Sequence, residues 1–466
     1  QISLPQNVAG FVRKLAIYVS VPDIVSGTAH KQLSEYMGEA KSLPAANKLI
    51  IIIVDPAFEY EYLKDSATAK VYEFVQLLES LTPAETLTKV TYTNRFHQLD
   101  DFEEEYLGLF SNLLYSRSKQ VALSLGVIDL QRMTTIDLIP QVSTLQVCCK
   151  TTLDLHTRLV HKCAKTLSDL EIIMSHARGL FYDANDNVVV YPHLQTLKLG
   201  SDTVDVPVEQ ASVPNVVTLP SLKELAIRMP FPFNDDVLFR GNSATLKSLT
   251  IPMDNNAVNV IKRTGVLGNQ SKDMKVTINQ SYHNDALSLV SDDDINLFIG
   301  NLVGAAQSLI LDNVISVNRF VVSAPLIRGF EQLRELSITK VGLTFFGVIS
   351  LLKVLPNLMK LGCSFKDLGS ELDGISSEEL PDHITSTYSR AGKNLQFFSL
   401  MSSCGLVQSV VPEYLLLLVL VCPKLCRVEL APEAISDFQT KVNEALGKEP
   451  YSKYPSQLNR LLHATY

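Results

Sequence analysis

The sequence predicts an α/β fold of stacked short repeats, in which each repeat supplies one parallel strand and a return segment that is mostly helical. Three observations carry this prediction. An apolar comb, L-x-x-L-x-L with L standing for any apolar residue, recurs along the chain. The combs follow one another at roughly 25 to 30 residues over most of the chain after residue 145. Apolar residues make up 46% of the 466 positions, which is enough material for a large continuous core.

The combs can be followed through the whole chain. Their central residues are Leu15, Val90, Leu145, Leu170, Leu197, Leu225, Leu249, Leu336, Leu361, Phe398 and Val428, and weaker combs contain Leu49, Val276 and Leu309 or span 119 to 123. A comb with this period is the signature of leucine-rich repeats. In such a unit the alternate residues of the strand point into the core, and the residues between them face outwards.

The predicted architecture is a leucine-rich-repeat solenoid, a horseshoe with a parallel concave sheet, a mostly helical convex side and about 14 to 15 irregular repeats. We expect one domain over residues 1–466. Within it, 1–140 would hold irregular repeats with longer insertions, 141–430 more regular repeats, and 431–466 a C-terminal helix and a closing unit. The segments 201–218 and 364–391 are predicted insertions, and a comb at Leu458 and Leu461 would belong to the closing unit.

Several return segments have helical periodicity. "SDDDINLFIGNLVGAA" places Ile295, Phe298, Ile299, Leu302 and Val303 on one stripe, with Ser291 as the N-cap. "APEAISDFQTKVNEALG" places Ile435, Phe438, Val442, Ala445 and Leu446 on one face, with Gly447 at the C′ position. The apolar run 414–422 is too short to cross a bilayer and predicts a core helix.

Charge and cysteine content restrict the function classes. The formal net charge of -8 attracts neither a phosphate backbone nor an anionic membrane, so we expect no nucleic-acid partner and no membrane partner. The seven cysteines are an odd number and most lie in apolar stretches, which predicts buried free thiols in a reducing compartment. No signal peptide is visible at the start of the chain. We therefore expect a cytoplasmic or nuclear protein.

Two segments imitate metal sites. "CCKTTLDLHTRLVHKC" contains Cys148, Cys149, His156, His161 and Cys163, but it lacks the paired spacing of zinc modules, and its two histidines diverge on a helix. "DANDNVVVYPHL" begins like a calcium loop but lacks the glycine at the sixth place and the glutamate at the twelfth. We expect neither metal, and a structural role for the cysteines and histidines.

Catalytic motifs are absent from the sequence. It contains no G-x-S-x-G elbow, no H-E-x-x-H and no glycine-rich phosphate loop. The acidic turn "PFNDDVLFRGN" is interpreted as a short capped helix that packs Val237, Leu238 and Phe239 inwards. The prediction is a protein that is not an enzyme and that uses no cofactor. An enzyme built on the rim would need a pocket with a titratable cluster, which the sequence does not indicate.

The outward strand positions are the candidate binding surface. Acidic and basic residues alternate there, a mosaic that suits a protein or peptide better than a phosphate backbone. The residues predicted to bind a partner are Glu224, Arg228, Lys275, Glu335, Lys360, Phe397, Met401 and Arg427. Phe397 and Met401 are the predicted anchor, because aromatic and soft apolar residues dominate binding hot spots. The alternative is that an insertion such as 364–391 covers these two residues.

Four segments carry a resemblance to a known family. "YPHLQTLKLG", "LPSLKELAIRMPFPFNDDVLFRGNSATLKSL", "ELPDHITSTY" and "LLLLVLVCPKL" resemble the block order of a large leucine-rich-repeat family of early-diverging fungi, over the chain from about residue 10 to the end. Members of that family are described as F-box-like. The resemblance implies a substrate adaptor of a cullin-type ubiquitin ligase. The family has no established catalytic or ligand residues, so none carries over to this chain.

The start of the chain bears on the adaptor hypothesis. "SLPQNVAGFVRKL" resembles the first helix of an F-box, but the following "AIYVSV" predicts a strand, so we expect Val12, Leu15 and Ile17 to form the first repeat and a complete F-box to be absent. Contact with Skp1 and a cullin would then need a segment before Gln1. The sequence thus favours a non-enzymatic protein-recognition solenoid. A secreted or surface repeat protein that binds an extracellular ligand is the alternative.

Overall fold

The computed structural model describes most of the repeat strands and helices. The described residues are 4–54, 67–82, 87–94, 120–125, 142–147, 153–173, 178–183, 185, 187–200, 219–228, 238, 245–264, 274–280, 292–303, 306–312, 332–367, 369–389, 391–400, 411–430, 432–449, 451–456 and 459. The chain divides into two compact units, one with the described residues up to Leu222 and one with those from Lys223 onwards.

The first unit is a parallel sheet in which each strand pairs with the next one along the chain. Its strands are β1 (Lys14–Ser20), β2 (Lys48–Val54), β3 (Lys89–Asn94), β4 (Gln120–Leu125), β5 (Val142–Val147), β6 (Asp169–Ile173) and β7 (Thr196–Gly200). Its helices are α1 (Gln6–Ala9), α2 (Val21–Val25), α3 (Thr28–Met37), α4 (Ala67–Leu81), α5 (Leu153–Cys163) and α6 (Arg178–Phe181).

The second unit repeats this organisation. Its strands are β8 (Glu224–Ile227), β9 (Ser248–Pro252), β10 (Met274–Asn279), β11 (Ala306–Asp312), β12 (Glu335–Leu343), β13 (Lys360–Phe365), β14 (Phe397–Leu400) and β15 (Arg427–Glu429), all paired in parallel with their neighbours. Its helices are α7 (Asn255–Thr264), α8 (Asp292–Val303), α9 (Phe345–Val354), α10 (Leu380–Tyr388), α11 (Val411–Val421) and α12 (Pro432–Leu446), with short 3-10 turns at Ser370–Leu372 and Tyr451–Lys453.

The apolar combs set the register of both sheets. Within each unit the described combs lie on strands, and most central comb residues pair with the central residue of the next comb, as Leu225 does with Leu249 and Leu249 with Val276. These residues are fully buried. The register shifts by one residue in β4, where Val90 pairs with Val121 but Leu145 pairs with Leu123. A repeated leucine contributes roughly 1.5–3 kcal/mol when it is buried, so the stacked combs are the main source of cohesion in each unit. The leucine-rich-repeat prediction is confirmed as an α/β fold with parallel sheets.

The return helices follow their predicted stripes. α8 buries Ile295, Phe298, Ile299 and Leu302, and α12 buries Phe438 and Val442. The run 414–422 forms most of α11, which is buried nearly all round as predicted.

Three predictions concern the ends of helices α8 and α12 and the end of the chain, and their outcomes differ. Gly447 follows α12 without the left-handed backbone that the C′ prediction implies, so that detail is wrong. The proposed cap Ser291 and the terminal comb at Leu458 and Leu461 lie outside the described residues.

Aromatic rings fill the core where β13 and β14 meet α9 and α11. The rings of Phe365 and Phe398 stack with their centroids 5.6 Å apart and 14° between their planes. Tyr414 of α11 packs edge-on against Phe365 at 5.4 Å, and its centroid lies 5.7 Å from that of Phe345. Aromatic pairs in these geometries stabilise a core beyond the area that they bury. This cluster therefore holds the strands rigidly at the end of the second unit.

Of the four cysteines in the described part of the chain, three match the prediction of buried free thiols, and Cys148, Cys149 and Cys404 lie outside that part. Cys163, Cys363 and Cys422 are free and buried. Cys426 is also free but exposed, so the prediction is wrong for that residue. It follows Leu425 on the outward side of the comb. Across the described part of the chain, no helix is both long enough and apolar enough to cross a membrane.

Candidate functional site

A row of mostly polar residues crosses the second unit at the beginning of its strands. Adjacent members are direct register partners, from β8 through to β15. We call this set the polar row, and it consists of Glu224, Ser248, Lys275, Ser308, Glu335, Lys360, Phe397 and Arg427. Neighbouring strands lie about 4.8 Å apart, so the row is a continuous line of closely spaced side chains. It brings together six of the eight residues that the sequence predicts to bind a partner.

The row exists because the comb fixes the direction of each strand residue. Each member directly precedes a buried comb residue and therefore points to the opposite face, away from the core. Its side chains are exposed or half-buried, whereas Leu225, Leu361 and Phe398, one position on, are fully buried. The polar row is thus the outward face of a rigid core.

Two contacts organise the C-terminal half of the row. The Lys360 Nζ lies 2.6 Å from Glu335 Oε1, although the two side chains keep 56% and 43% of their exposure. The guanidinium carbon of Arg427 lies 5.2 Å from the ring centroid of Phe397, a cation–π geometry. Exposed pairs of this kind contribute about 0–1 kcal/mol, so their effect is to orient side chains more than to stabilise the fold. They present a charge pair beside a cation-covered aromatic ring.

A second row of mostly small residues, which we call the small-residue row, runs beside the polar row, two positions further along each strand. It contains Ala226, Thr250, Thr277, Ile310, Ser337, Gly362, Ser399 and Glu429, joined by the same register. Gly362 and Ser399 are buried, and most of the others are half-buried. Short side chains let the atoms of a partner approach the strands closely. The polar row and this small-residue row together form a shallow strip with charged residues along one margin.

The described part of the insertion at 364–391 contacts the helices of the second unit. Its helix α10 packs against α11, and Tyr388 of α10 contacts Phe346 of α9, so this part of the insertion lies on the helical side. Phe397 stays half-buried on the outward face. The anchor role of Phe397 and its alternative, cover by the insertion, both stay predictions.

The remaining predicted residues are placed as follows. Arg228 is exposed directly after β8, outside the polar row. Met401 lies outside the described residues, so its role as an anchor stays a prediction.

The histidine and cysteine segment is structural where it is described. The Nε2 of His161 lies 2.8 Å from the carbonyl oxygen of Gly179, which is hydrogen-bonding distance. This ring nitrogen is therefore engaged by the protein backbone. Burial raises the pKa of the Cys163 thiol to about 12, against a smaller opposing effect of Lys162. A thiol kept neutral in this way is a poor metal ligand. No group of three or more potential metal ligands occurs among the residues that the structure describes.

The calcium-like segment forms a side-chain-capped turn. Asp183 Oδ1 accepts hydrogen bonds from the backbone N–H groups of Asn185 (2.8 Å) and Asn187 (2.9 Å), and Oδ2 accepts one from Asn187 Nδ2 at 3.1 Å. These bonds lower the pKa of the Asp183 carboxyl. The carboxylate is therefore used within its own turn.

The acidic turn after β8 is described at one position only. Leu238 is helical and buried, as the prediction of a short packed helix requires. The other residues of that turn, including Val237 and Phe239, lie outside the described residues.

Three residues of the exposed faces were missed by the sequence interpretation. Ser248 and Ser308 complete the polar row, and Lys48 of β2 lies in register between Lys14 and Lys89 in the first unit. All three directly precede the central residue of a comb, and this position alone predicts that their side chains face outwards.

The side chains of the strip supply groups that are suited to binding. Its charged side chains are exposed or half-buried. Burial raises the pKa values of the Cys363 and Cys422 thiols, which lie in the core of the second unit. Alternating charges, hydroxyl groups and one half-exposed aromatic ring provide hydrogen bonds, ion pairs and an apolar anchor for a partner.

The chain was compared with protein families, curated proteins and solved structures, and 23 chains of solved structures match it. No protein-family model matches the sequence, and no curated protein matches it. The leucine-rich-repeat-containing protein LegL7 from Legionella pneumophila is similar at 11% sequence identity, with 93% of this chain and 98% of that chain covered and a TM-score of 0.29.

Proposed function

We propose that this protein is a non-enzymatic recognition module that binds a protein partner along the polar row of its second unit. The observation that carries the proposal is the unbroken register from Glu224 to Arg427, which holds a mosaic of charges and an aromatic residue on a rigid sheet. Arginine and aromatic side chains are enriched in binding hot spots, so the Phe397–Arg427 pair is the proposed anchor. The reversed charges of Glu335 and Lys360 beside it would fix the orientation of the partner.

The finer proposal is that the chain is the substrate-binding part of an F-box-type ubiquitin-ligase adaptor. It is supported by the resemblance of four sequence blocks to the F-box-like fungal family. In this proposal the protein works in the cytoplasm or nucleus, and Skp1 and a cullin join through residues before Gln1. The second candidate is a secreted or surface protein that uses the same strip for an extracellular ligand.

The test is an affinity capture from the native source with quantitative mass spectrometry. The bait is the full chain, compared with the double variant Phe397→Ala/Arg427→Ala. The matched control is Leu297→Ala/Lys441→Ala, which removes one exposed apolar and one exposed basic side chain from the helices α8 and α12. We expect the double variant to lose a partner about tenfold or more, because hot-spot truncation costs at least about 1–2 kcal/mol, while the control retains it.

The identity of the captured proteins separates the two candidates. Recovery of Skp1 and a cullin together with a partner that the double variant loses would support the adaptor. Recovery of extracellular or glycan-bearing ligands without ligase components would support the secreted alternative. If the double variant and the control capture the same proteins in equal amounts, the polar row is not the binding site.

A further inference from the structure

The first three strands of the first unit carry lysines in direct register. Lys14 pairs with Lys48, and Lys48 pairs with Lys89, each at the first position of its strand. We call these three residues the lysine row. Neighbouring strands are about 4.8 Å apart, so the Cα atoms of the three lysines span only about 10 Å. Lys14 and Lys48 are exposed and Lys89 is half-buried.

The charges of the lysine row are not compensated by the described residues around it. Within the described ranges, no carboxylate forms an ion pair with any of the three ammonium groups. Like charges directly opposite each other destabilise a sheet. A bound anion would relieve this repulsion, because each of its negative groups could pair with one or two lysines.

The surface beside the lysine row is apolar on β1 and β2, whereas on β3 Thr91 pairs with Ile50. Two positions along the strands, Ala16 pairs with Ile50, and two positions further, Tyr18 pairs with Ile52. Tyr18 retains 69% of its exposure, which is high for a large aromatic side chain. A ligand for this face therefore needs an acidic stripe with an apolar stripe along one side of it.

The spacing of the lysines selects the form of the ligand. Residues three or four apart on a helix lie about 5–6 Å apart, close to the spacing of the strands. In an extended chain, residues on one side repeat at about 6.6–6.8 Å, which does not match the spacing of the lysines. We propose that the lysine row, together with Tyr18, Ile50 and Ile52, binds an amphipathic acidic helix of a partner protein, laid across β1, β2 and β3.

The short length of the row argues for a helix and against a nucleic acid. The positive register ends at β4, where Gln120 pairs with Lys89, and Asp169 stands on the same face at β6. A nucleic acid presents a long continuous line of phosphates, which needs a longer basic surface. The proposal concerns the first unit and does not depend on the polar row.

The test uses a designed probe. It is a fluorescein-labelled, alanine-based helical peptide with glutamate at every third or fourth position, so that the glutamates form one stripe along the helix. Leucines form a second stripe along one side of the glutamates. Its control has the same composition with the glutamates distributed around the helix. Binding to the full chain is measured by fluorescence anisotropy at several salt concentrations, and a labelled duplex DNA is the competing ligand.

The matched variants carry equal changes in net charge. Lys14→Gln/Lys48→Gln/Lys89→Gln removes the lysine row, and Lys41→Gln/Lys393→Gln/Lys448→Gln removes three exposed lysines elsewhere. Three exposed ion pairs together account for about a tenfold change in affinity. We expect the first triple variant to lose about tenfold in affinity for the patterned peptide, and the second to lose less than about twofold. Circular dichroism confirms that both variants are folded.

Several results would overturn the proposal. These are equal losses in the two triple variants, equal affinity for the patterned and scrambled peptides, or tighter binding of the duplex DNA that depends on the same lysines. The proposal also requires that Tyr18→Ala weakens binding of the patterned peptide while Phe397→Ala leaves it unchanged. The second comparison separates this site from the polar row, so failure of one does not imply failure of the other.

Discussion

The guanidinium group of Arg427 covers the ring of Phe397 from the next strand, at 5.2 Å between its central carbon and the ring centroid. The neighbouring residue Phe398 points the other way and stacks on Phe365 in the core. Two consecutive phenylalanines on β14 thus lie on opposite faces of the sheet. Phe397 lies on the outward face, and Phe398 packs in the core.

This arrangement predicts opposite effects for two alanine substitutions. Phe398→Ala should reduce the free energy of unfolding by about 3–5 kcal/mol, because it removes a fully buried ring. Phe397→Ala should reduce it by less than about 1 kcal/mol, because only an exposed cation–π contact is lost. Urea unfolding of the two variants measures the difference. Equal destabilisation would show that Phe397 is a core residue and not an available anchor.

Close packing of Gly392 against Cys422 leads to a second prediction. A Cβ atom at position 392 would overlap the Cys422 Sγ and lie 3.3 Å from Leu352 Cδ1. Gly392→Ala should therefore destabilise the second unit by about 1–3 kcal/mol, as overpacking of a core does. The double variant Gly392→Ala/Cys422→Ala should recover part of this loss, because the overlapping sulfur is removed. A double-mutant cycle by thermal unfolding checks this, and additive losses would argue against a direct clash.

Much of the fold could be predicted from sequence because the comb is a local pattern with a global consequence. The spacing of apolar residues around Leu197, Leu225 and Leu249 determines which residues enter the core, and parallel stacking follows, since a single repeat cannot bury its apolar face. The outward position of Glu224 and Arg427 is fixed by the same alternation. This is why most of the polar row was predictable.

Other features depend on relations between strands and could not be read from one repeat. The alignment of Lys14, Lys48 and Lys89 requires the register of β1, β2 and β3, which an irregular spacing of combs hides. The failure of Gly447 to take a left-handed backbone reflects how α12 meets the following turn, since a terminal glycine permits that conformation but does not enforce it. The exposure of Cys426 was predictable from its place outside the comb.

The buried thiols predict how stability and labelling depend on pH. Burial raises the pKa of Cys163 from 9.0 to about 12, so the folded state keeps its proton where the unfolded state loses it. The contribution of this group to stability is therefore complete below pH 9 and decreases as the pH rises from 9 towards about 12. Iodoacetamide should modify exposed Cys426 at least about a hundredfold faster than Cys163 at pH 8, because Cys163 reacts only after opening. Peptide-resolved mass spectrometry measures both rates, and comparable rates would contradict the burial of Cys163.

The lysine row predicts a substitution that stabilises the protein in the absence of a ligand. Lys48 stands between two like charges, so Lys48→Gln removes both repulsive pairs. The expected gain is about 0.2–1 kcal/mol in the free energy of unfolding at low salt, and it should vanish in 1 M salt, where charges are screened within about 3 Å. Lys41→Gln is the control, because Lys41 is an exposed lysine outside the strands. A gain that is equal in both variants, or that persists at high salt, would mean that the three lysines do not repel one another. A salt-dependent gain at Lys48 alone would identify a site that sacrifices stability in the free protein, as binding surfaces commonly do.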